Sequence, residues 1–152
     1  MKKRQFMGKR ETKEFLEKVS EQFGEVNAEK VEFAHHEDNI IYILDDKVEF
    51  IEKDGKIIPF LGGSIVENLP TVTVDMGAIR FVCNGADIMA PGITDLDDFS
   101  ENDIVVVRDN THGKPLAVGA ALKSSDEINS LRKGRVVSNL HYVGDPIWED
   151  IS

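Results

Sequence analysis

This 152-residue chain contains one cysteine, one tryptophan and two tyrosines. A single cysteine, Cys83, excludes an internal disulfide and any zinc site built on several cysteines, and points to a reducing, cytoplasmic setting. No apolar run approaches the roughly eighteen residues a membrane helix needs, so no membrane partner is expected. The basic N-terminus, MKKRQFMGKRETKE, has no apolar segment behind it and does not read as a secretory signal. Positive charge is also scarce. Eighteen Lys and Arg face 28 Asp and Glu, a formal net charge of −10. Such a chain repels RNA at long range, which argues against an indiscriminate nucleic-acid binder. Catalytic patterns are missing as well: there is no P-loop, no GxSxG, no HExxH and no Cys-x-x-Cys. Of the histidines, His35, His36, His112 and His141, none stands in a local pattern with a nucleophile. Successive strand residues point to opposite faces, so His35 and His36 cannot easily share one metal, and the pair reads as a turn with Glu37 and Asp38. No catalytic residue, metal or cofactor is expected.

Hydrophobic residues make up 41 % of the chain, enough for a packed core, and the length suits one domain or two small ones. The first half reads as a small α+β unit. Residues 12–23 carry Phe15, Leu16, Val19 and Phe23 at helical spacing, with Thr12 as a cap and Gly24 as a stop. Four strands follow. The first, at 30–35, has Val31 and Phe33 on one side, and the second, at 39–44, is apolar. The third, at 47–52, has Val48 and Phe50 facing in, and the last, at 57–61, carries a Pro59 that suits a sheet edge. Asp45-Asp46 and Asp54-Gly55 are turn signals between them. Leu69-Pro70 marks the expected boundary, giving domains at 1–70 and 71–152.

The second half is organised around residues 74–93, VDMGAIRFVCNGADIMAPGI. Asp75 can cap a short helix over about 76–83, whose Met76, Ile79, Val82 and Cys83 form an apolar stripe. Gly85 can end that helix in the left-handed conformation and let a ligand approach the backbone. Strands are expected at 71–75, 103–108, 115–123 and 136–143, with a second helix from Ser125 or Asp126 to about Leu131. Residues 95–99 read as an acidic loop, and Asn102 as a left-handed turn residue. Many short strands with two short helices describe a partly open β-barrel. The basic residues are clustered rather than spread. Lys2, Lys3, Arg4, Lys9, Arg10 and Lys13 crowd the start, and Arg132, Lys133 and Arg135 form a second group near which Arg80 and Lys123 fall. Each cluster suits a few phosphate contacts, while on its own it reads equally as solvated surface.

Five segments in order carry a resemblance. They are the helix and glycine loop at 74–93, Asp103-Ile104-Val105-Val106-Val107, Pro115-Leu116-Ala117-Val118-Gly119-Ala120-Ala121, Ser124-Ser125-Asp126-Glu127-Ile128 and Gly134-Arg135-Val136-Val137. Together they resemble the PUA domain, an RNA-binding module of pseudouridine synthases and archaeosine transglycosylases. The tail, Asn139-Leu140-His141-Tyr142 with Asp145 and Trp148, resembles more narrowly the malignant T-cell amplified sequence and ligatin family and its archaeal single-chain relatives. The catalytic aspartate motif of the synthases is absent, so the likeness is to the accessory module and implies no enzyme. It implies a pre-PUA α+β domain followed by a PUA barrel, and a cytoplasmic, monomeric, RNA-binding protein of the translation apparatus. Its expected partners are structured RNA such as a transfer RNA acceptor end or ribosomal RNA, and the small ribosomal subunit or a separate translation factor. The expected RNA contacts are Arg80, Gly85, Ala86, Asp87, Ile88, Met89, Lys123, Arg132, Lys133 and Arg135. Two alternatives stay open: a protein-interaction module without RNA binding, and an RNA-targeting subunit for a separate modification enzyme. Trp148, a lone tryptophan near the chain end, is expected to pack rather than stay free.

Overall fold

In a computed structural model, residues 3–151 are described; Lys2 of the N-terminal basic cluster lies outside them. The chain divides into two units between Asn68 and Leu69. The first contains β1 (Gln5–Phe6), α1 (Lys9–Phe23), β2 (Val31–His36), β3 (Asn39–Leu44), β4 (Lys47–Lys53) and β5 (Lys56–Pro59), followed by a 3₁₀ turn at Ile65–Asn68. The strands form one antiparallel sheet in sequence order. Helix α1 packs its aromatic stripe on one face: Phe15 meets Tyr42 at 4.5 Å and Phe50 at 6.0 Å between ring centroids, and Phe23 meets Phe50 at 5.6 Å. Pro59 sits on the outermost strand, where its missing N–H leaves no ladder bond unmade. The Asp45-Asp46 and Asp54-Gly55 turns both take positive φ, as tight hairpins require.

Several local expectations are corrected. The first helix starts at Lys9 after Gly8, so Thr12 lies inside it and not at its cap. His35 and His36 belong to β2, and the turn begins at Glu37, whose φ is 55°. A bulge at Glu49 aligns Val48 with Ile43 and Phe50 with Tyr42, so Val48 and Phe50 fall on opposite faces. The bulge residue is put to use, because its carboxylate accepts the Ser64 amide at 2.7 Å and the Ser64 hydroxyl at 2.9 Å.

The second unit contains β6 (Thr71–Val74), a 3₁₀ turn at Met76–Ala78 running into α2 (Ile79–Val82), and β7 (Ile88–Met89). Next come β8 (Ile93–Leu96), β9 (Ile104–Asp109), β10 (Pro115–Ala121), α3 (Ser125–Ser130), β11 (Arg135–Tyr142) and α4 (Pro146–Ile151). Its six-stranded mixed sheet runs β7-β11-β10-β9-β6-β8, with β6 and β9 parallel. The two outer strands, β7 and β8, are consecutive in sequence and joined by the Ala90–Gly92 turn, so the sheet curls back on itself as a partly open barrel. The chain is thus α+β throughout: a helix on a sheet, then a PUA-like barrel. Val72, Val74, Val105, Val107, Ala117, Val136 and Val137 fill the barrel core and are fully buried.

One glycine sets how closely β10 and β11 approach. A Cβ on Gly119 of β10 would lie 2.6 Å from both the Ser138 carbonyl oxygen and Val137 Cγ1 of β11, at the point where the register of this strand pair shifts. Only a residue without a side chain lets the two strands approach so closely. Asn102 adopts φ 75° as expected. Asp95 and Leu96 belong to strand β8 rather than to an acidic loop, and Leu96 packs against the core. The second helix is capped by Ser124, whose Oγ accepts the Glu127 amide at 3.2 Å, while Ser125 is buried and bonds to the backbone of Phe99. The tail adds a helix that the sequence reading missed. Asp145 caps α4, accepting the Trp148 amide at 2.8 Å, and Trp148 is half-buried.

Candidate nucleic-acid interface

Asp75 Oδ1 accepts the Ala78 amide at 3.1 Å and starts the helical turn, as its position predicts. The Asp75 amide in turn donates to the Gly92 carbonyl at 2.9 Å, which holds the turn after β7 beside the helix start. The helical segment does not bury the whole expected stripe. Val82 is buried and Ile79 and Cys83 pack on the core, but Met76 is exposed and Phe81 is 55 % exposed. Burial pushes the Cys83 thiol pKa up, so it is not a ready thiolate.

Between this segment and β7 opens a groove of about 510 Å³. Val74, Ala78, Val82 and Ile88 are among its apolar lining, with Phe81, Met89 and Arg135 also reaching it. Phe81 and Met89, each about half exposed, present apolar surface to solvent. The Arg80 guanidinium stands over the Phe81 ring, 4.9 Å from its centroid. Strand register brings Arg135 opposite Met89, and Ala90 donates to the Gly134 carbonyl at 2.8 Å, so the basic segment of β11 borders the groove.

Of the ten residues picked from the sequence, the groove gathers Ala86, Asp87, Ile88, Met89 and Arg135. Arg80 reaches it through Phe81. Arg132 and Lys133 are exposed in the loop before β11, and Lys123 is half-buried; among the described residues none of these three has an ion pair. Gly85, like these three, is not part of the groove lining. It does take φ 91°, but the space for its absent Cβ faces Tyr142, 3.1 Å away. It turns the chain against an aromatic ring, and its amide donates to the Val82 carbonyl at 3.0 Å. Asp87 is also committed within the protein: its carboxylate accepts the Asn139 amide at 2.8 Å and Arg135 Nη1 at 3.1 Å. Asn139 Nδ2 donates to the carbonyls of Val82, at 3.0 Å, and Ala86, at 2.9 Å, tying helix and loop to β11.

Phe81 and Gly92 were missed. Phe81 could have been found as the one aromatic off the apolar stripe of a short helix. Gly92 carried no signal beyond its place in a Pro-Gly pair. Two residues of the N-terminal basic cluster are paired with carboxylates of the protein. Arg4 pairs with Glu32 at 2.8 Å and with Asp46 at 3.3 Å, and Arg10 pairs with Glu14 at 3.2 Å.

Residues 70–143 match the PUA domain family, and residues 3–62 match the Domain of unknown function (DUF1947). An uncharacterized protein of Methanocaldococcus jannaschii is 42 % identical, over 97 % of this chain and 96 % of its own length. Translation machinery-associated protein 20 of Saccharomyces cerevisiae is 37 % identical, over 78 % of this chain and 71 % of its own. The crystal structure of a hypothetical protein from Pyrococcus horikoshii superposes with a TM-score of 0.85 at 32 % identity, covering 99 % of this chain and all of that one.

Proposed function

The chain belongs to the PUA-domain family that includes Translation machinery-associated protein 20 and the malignant T-cell-amplified sequence proteins, and on that premise we propose that it is a non-enzymatic RNA-binding protein of the translation apparatus. The groove beside α2 is its RNA site, and its ligand is a structured RNA with unpaired terminal bases, of which a transfer RNA acceptor end is the leading candidate. One observation carries the reading: Phe81, exposed and covered on one side by Arg80, shares the groove with Arg135. An aromatic face flanked by guanidinium groups suits a base stacked on the ring with its phosphates held on either side. A-form helices hide their major groove, so shape, 2′-hydroxyls and unpaired ends are what such a site can read. Arg132, Lys133 and Lys123 extend the basic rim toward the stem. In the cell the protein works in the cytoplasm as a monomer, with the small ribosomal subunit or a separate translation factor as its further partner.

The net charge of −10 favours a second reading, in which the same apolar groove takes a side chain of a partner protein. Replacing Phe81 by alanine separates the two. The ring is exposed enough that stability should change by no more than about 0.5 kcal/mol. Affinity for a hairpin RNA with an unpaired end should fall about tenfold, the order expected for one lost stacking contact. Unchanged RNA affinity in Phe81→Ala would refute the groove as the RNA site.

A further inference from the structure

Asp87 stands in the wrong place for an anion site. It puts a carboxylate in the lining of a groove whose charge has to suit phosphate. Its fold role explains only half of it. One carboxylate oxygen accepts the Asn139 amide at 2.8 Å, a bond that an asparagine oxygen would accept as well. The other oxygen accepts Arg135 Nη1 at 3.1 Å and is the part that requires a carboxylate. Arg135 is 62 % exposed and lies on a strand end, where a long side chain would otherwise sweep through many rotamers. With Nη1 held, its Nε and Nη2 have no protein partner among the described residues and stay available to a ligand. The clamp is anchored in turn: Asn139, four residues further along β11, holds the Val82 carbonyl at the end of α2 and the Ala86 carbonyl just before Asp87.

We propose that Asp87 is a positioning residue of the RNA site. It does not touch RNA. It holds the Arg135 guanidinium at the groove rim in the orientation that takes a phosphate, and its benefit to binding outweighs the repulsion its charge adds. This rests on the groove being the RNA site.

Positioning and bulk electrostatics give opposite signs for Asp87→Asn. The substitution removes one negative charge, so repulsion alone predicts tighter binding. Loss of the clamp predicts weaker binding. The full-length wild type, Asp87→Asn, Arg135→Ala and the double variant are titrated with a fluorescent hairpin RNA carrying a short unpaired end. Asp87→Asn should weaken binding roughly three- to tenfold in the wild-type background and leave it equal or slightly tighter in Arg135→Ala, where only the repulsion remains, the non-additivity of a coupled pair. Tighter or equal binding by Asp87→Asn would overturn the proposal, and so would an equal loss in both backgrounds. Should Asp87→Asn unfold, as a thermal melt would reveal, Arg135→Lys decides. It keeps the charge but loses the planar fork. Its affinity should approach that of Arg135→Ala, and wild-type affinity would overturn the proposal. If the wild type itself does not bind, the functional reading of the groove fails. If it binds and Asp87→Asn binds more tightly, that reading stands and only the role of Asp87 falls.

Discussion

Gly85 and Tyr142 face each other so closely that a Cβ on the glycine would lie 3.1 Å from the tyrosine ring and hydroxyl. The loop after α2 is therefore seated on the end of β11, and its glycine serves that seating. Gly85→Val should cost stability, because a β-branched residue resists φ 91° and the ring must also give way. The expected loss is about 1–3 kcal/mol in urea denaturation. Any loss of RNA affinity should accompany that destabilisation rather than appear without it.

Gly119 makes the stronger demand on the fold. Even alanine there would press against the backbone of Ser138 and the side chain of Val137. Gly119→Ala should destabilise the barrel by about 1–3 kcal/mol, the range for overpacked cores, and a denaturant melt reads it directly. Wild-type stability would mean that β10 and β11 can separate without cost.

Acid should weaken the C-terminal end. Burial alone would push the Asp145 pKa up, but the bond to His141 Nδ1 at 2.7 Å and those from the Trp148 and Tyr142 amides outweigh it and hold it below its ordinary value. A carboxyl whose folded pKa lies below its unfolded one stabilises the fold above the unfolded value, about 3.9, and loses that contribution as pH falls through the folded value. Wild-type stability should therefore decline below about pH 4. Asp145→Asn should be less stable at neutral pH by about 1–3 kcal/mol and should lose less on acidification. Denaturation curves between neutral pH and pH 3 check both the sign and the window.

The sequence was most informative where a turn or cap has a specific chemical requirement. Asp75, Asp45-Asp46, Asp54-Gly55 and Asn102 each occupy the conformation their side chains favour. Ordered segments also led to the PUA barrel and its α+β companion. Legibility ended where long-range register decides. The bulge at Glu49 splits Val48 from Phe50, and the pairing of β8 with β6 turns part of an apparent acidic loop into strand. The candidate site divides in the same way. Ala86 to Met89 were legible because they follow a recognisable helix stop. Phe81 was hidden because helical spacing marks what is buried, and this ring matters for being exposed. Asp87 was picked as a ligand contact, yet its two partners lie about fifty residues downstream, beyond the reach of local pattern.

The central claim is that a small basic rim beside an apolar groove binds the end of a structured RNA. A salt titration tests it most directly, using the wild type and an Arg132→Ala, Lys133→Ala, Arg135→Ala variant against a transfer RNA and an unstructured oligonucleotide. Three to five phosphate contacts predict a log–log slope of about −2 to −3.5, and four predict roughly fifty-fold weaker binding between about 50 and 200 mM salt. The variant should bind both RNAs more weakly with a flatter slope, and the wild type should prefer the transfer RNA. Equal wild-type affinity for the two RNAs, or no binding at low salt, would contradict the account and favour a protein ligand for the groove.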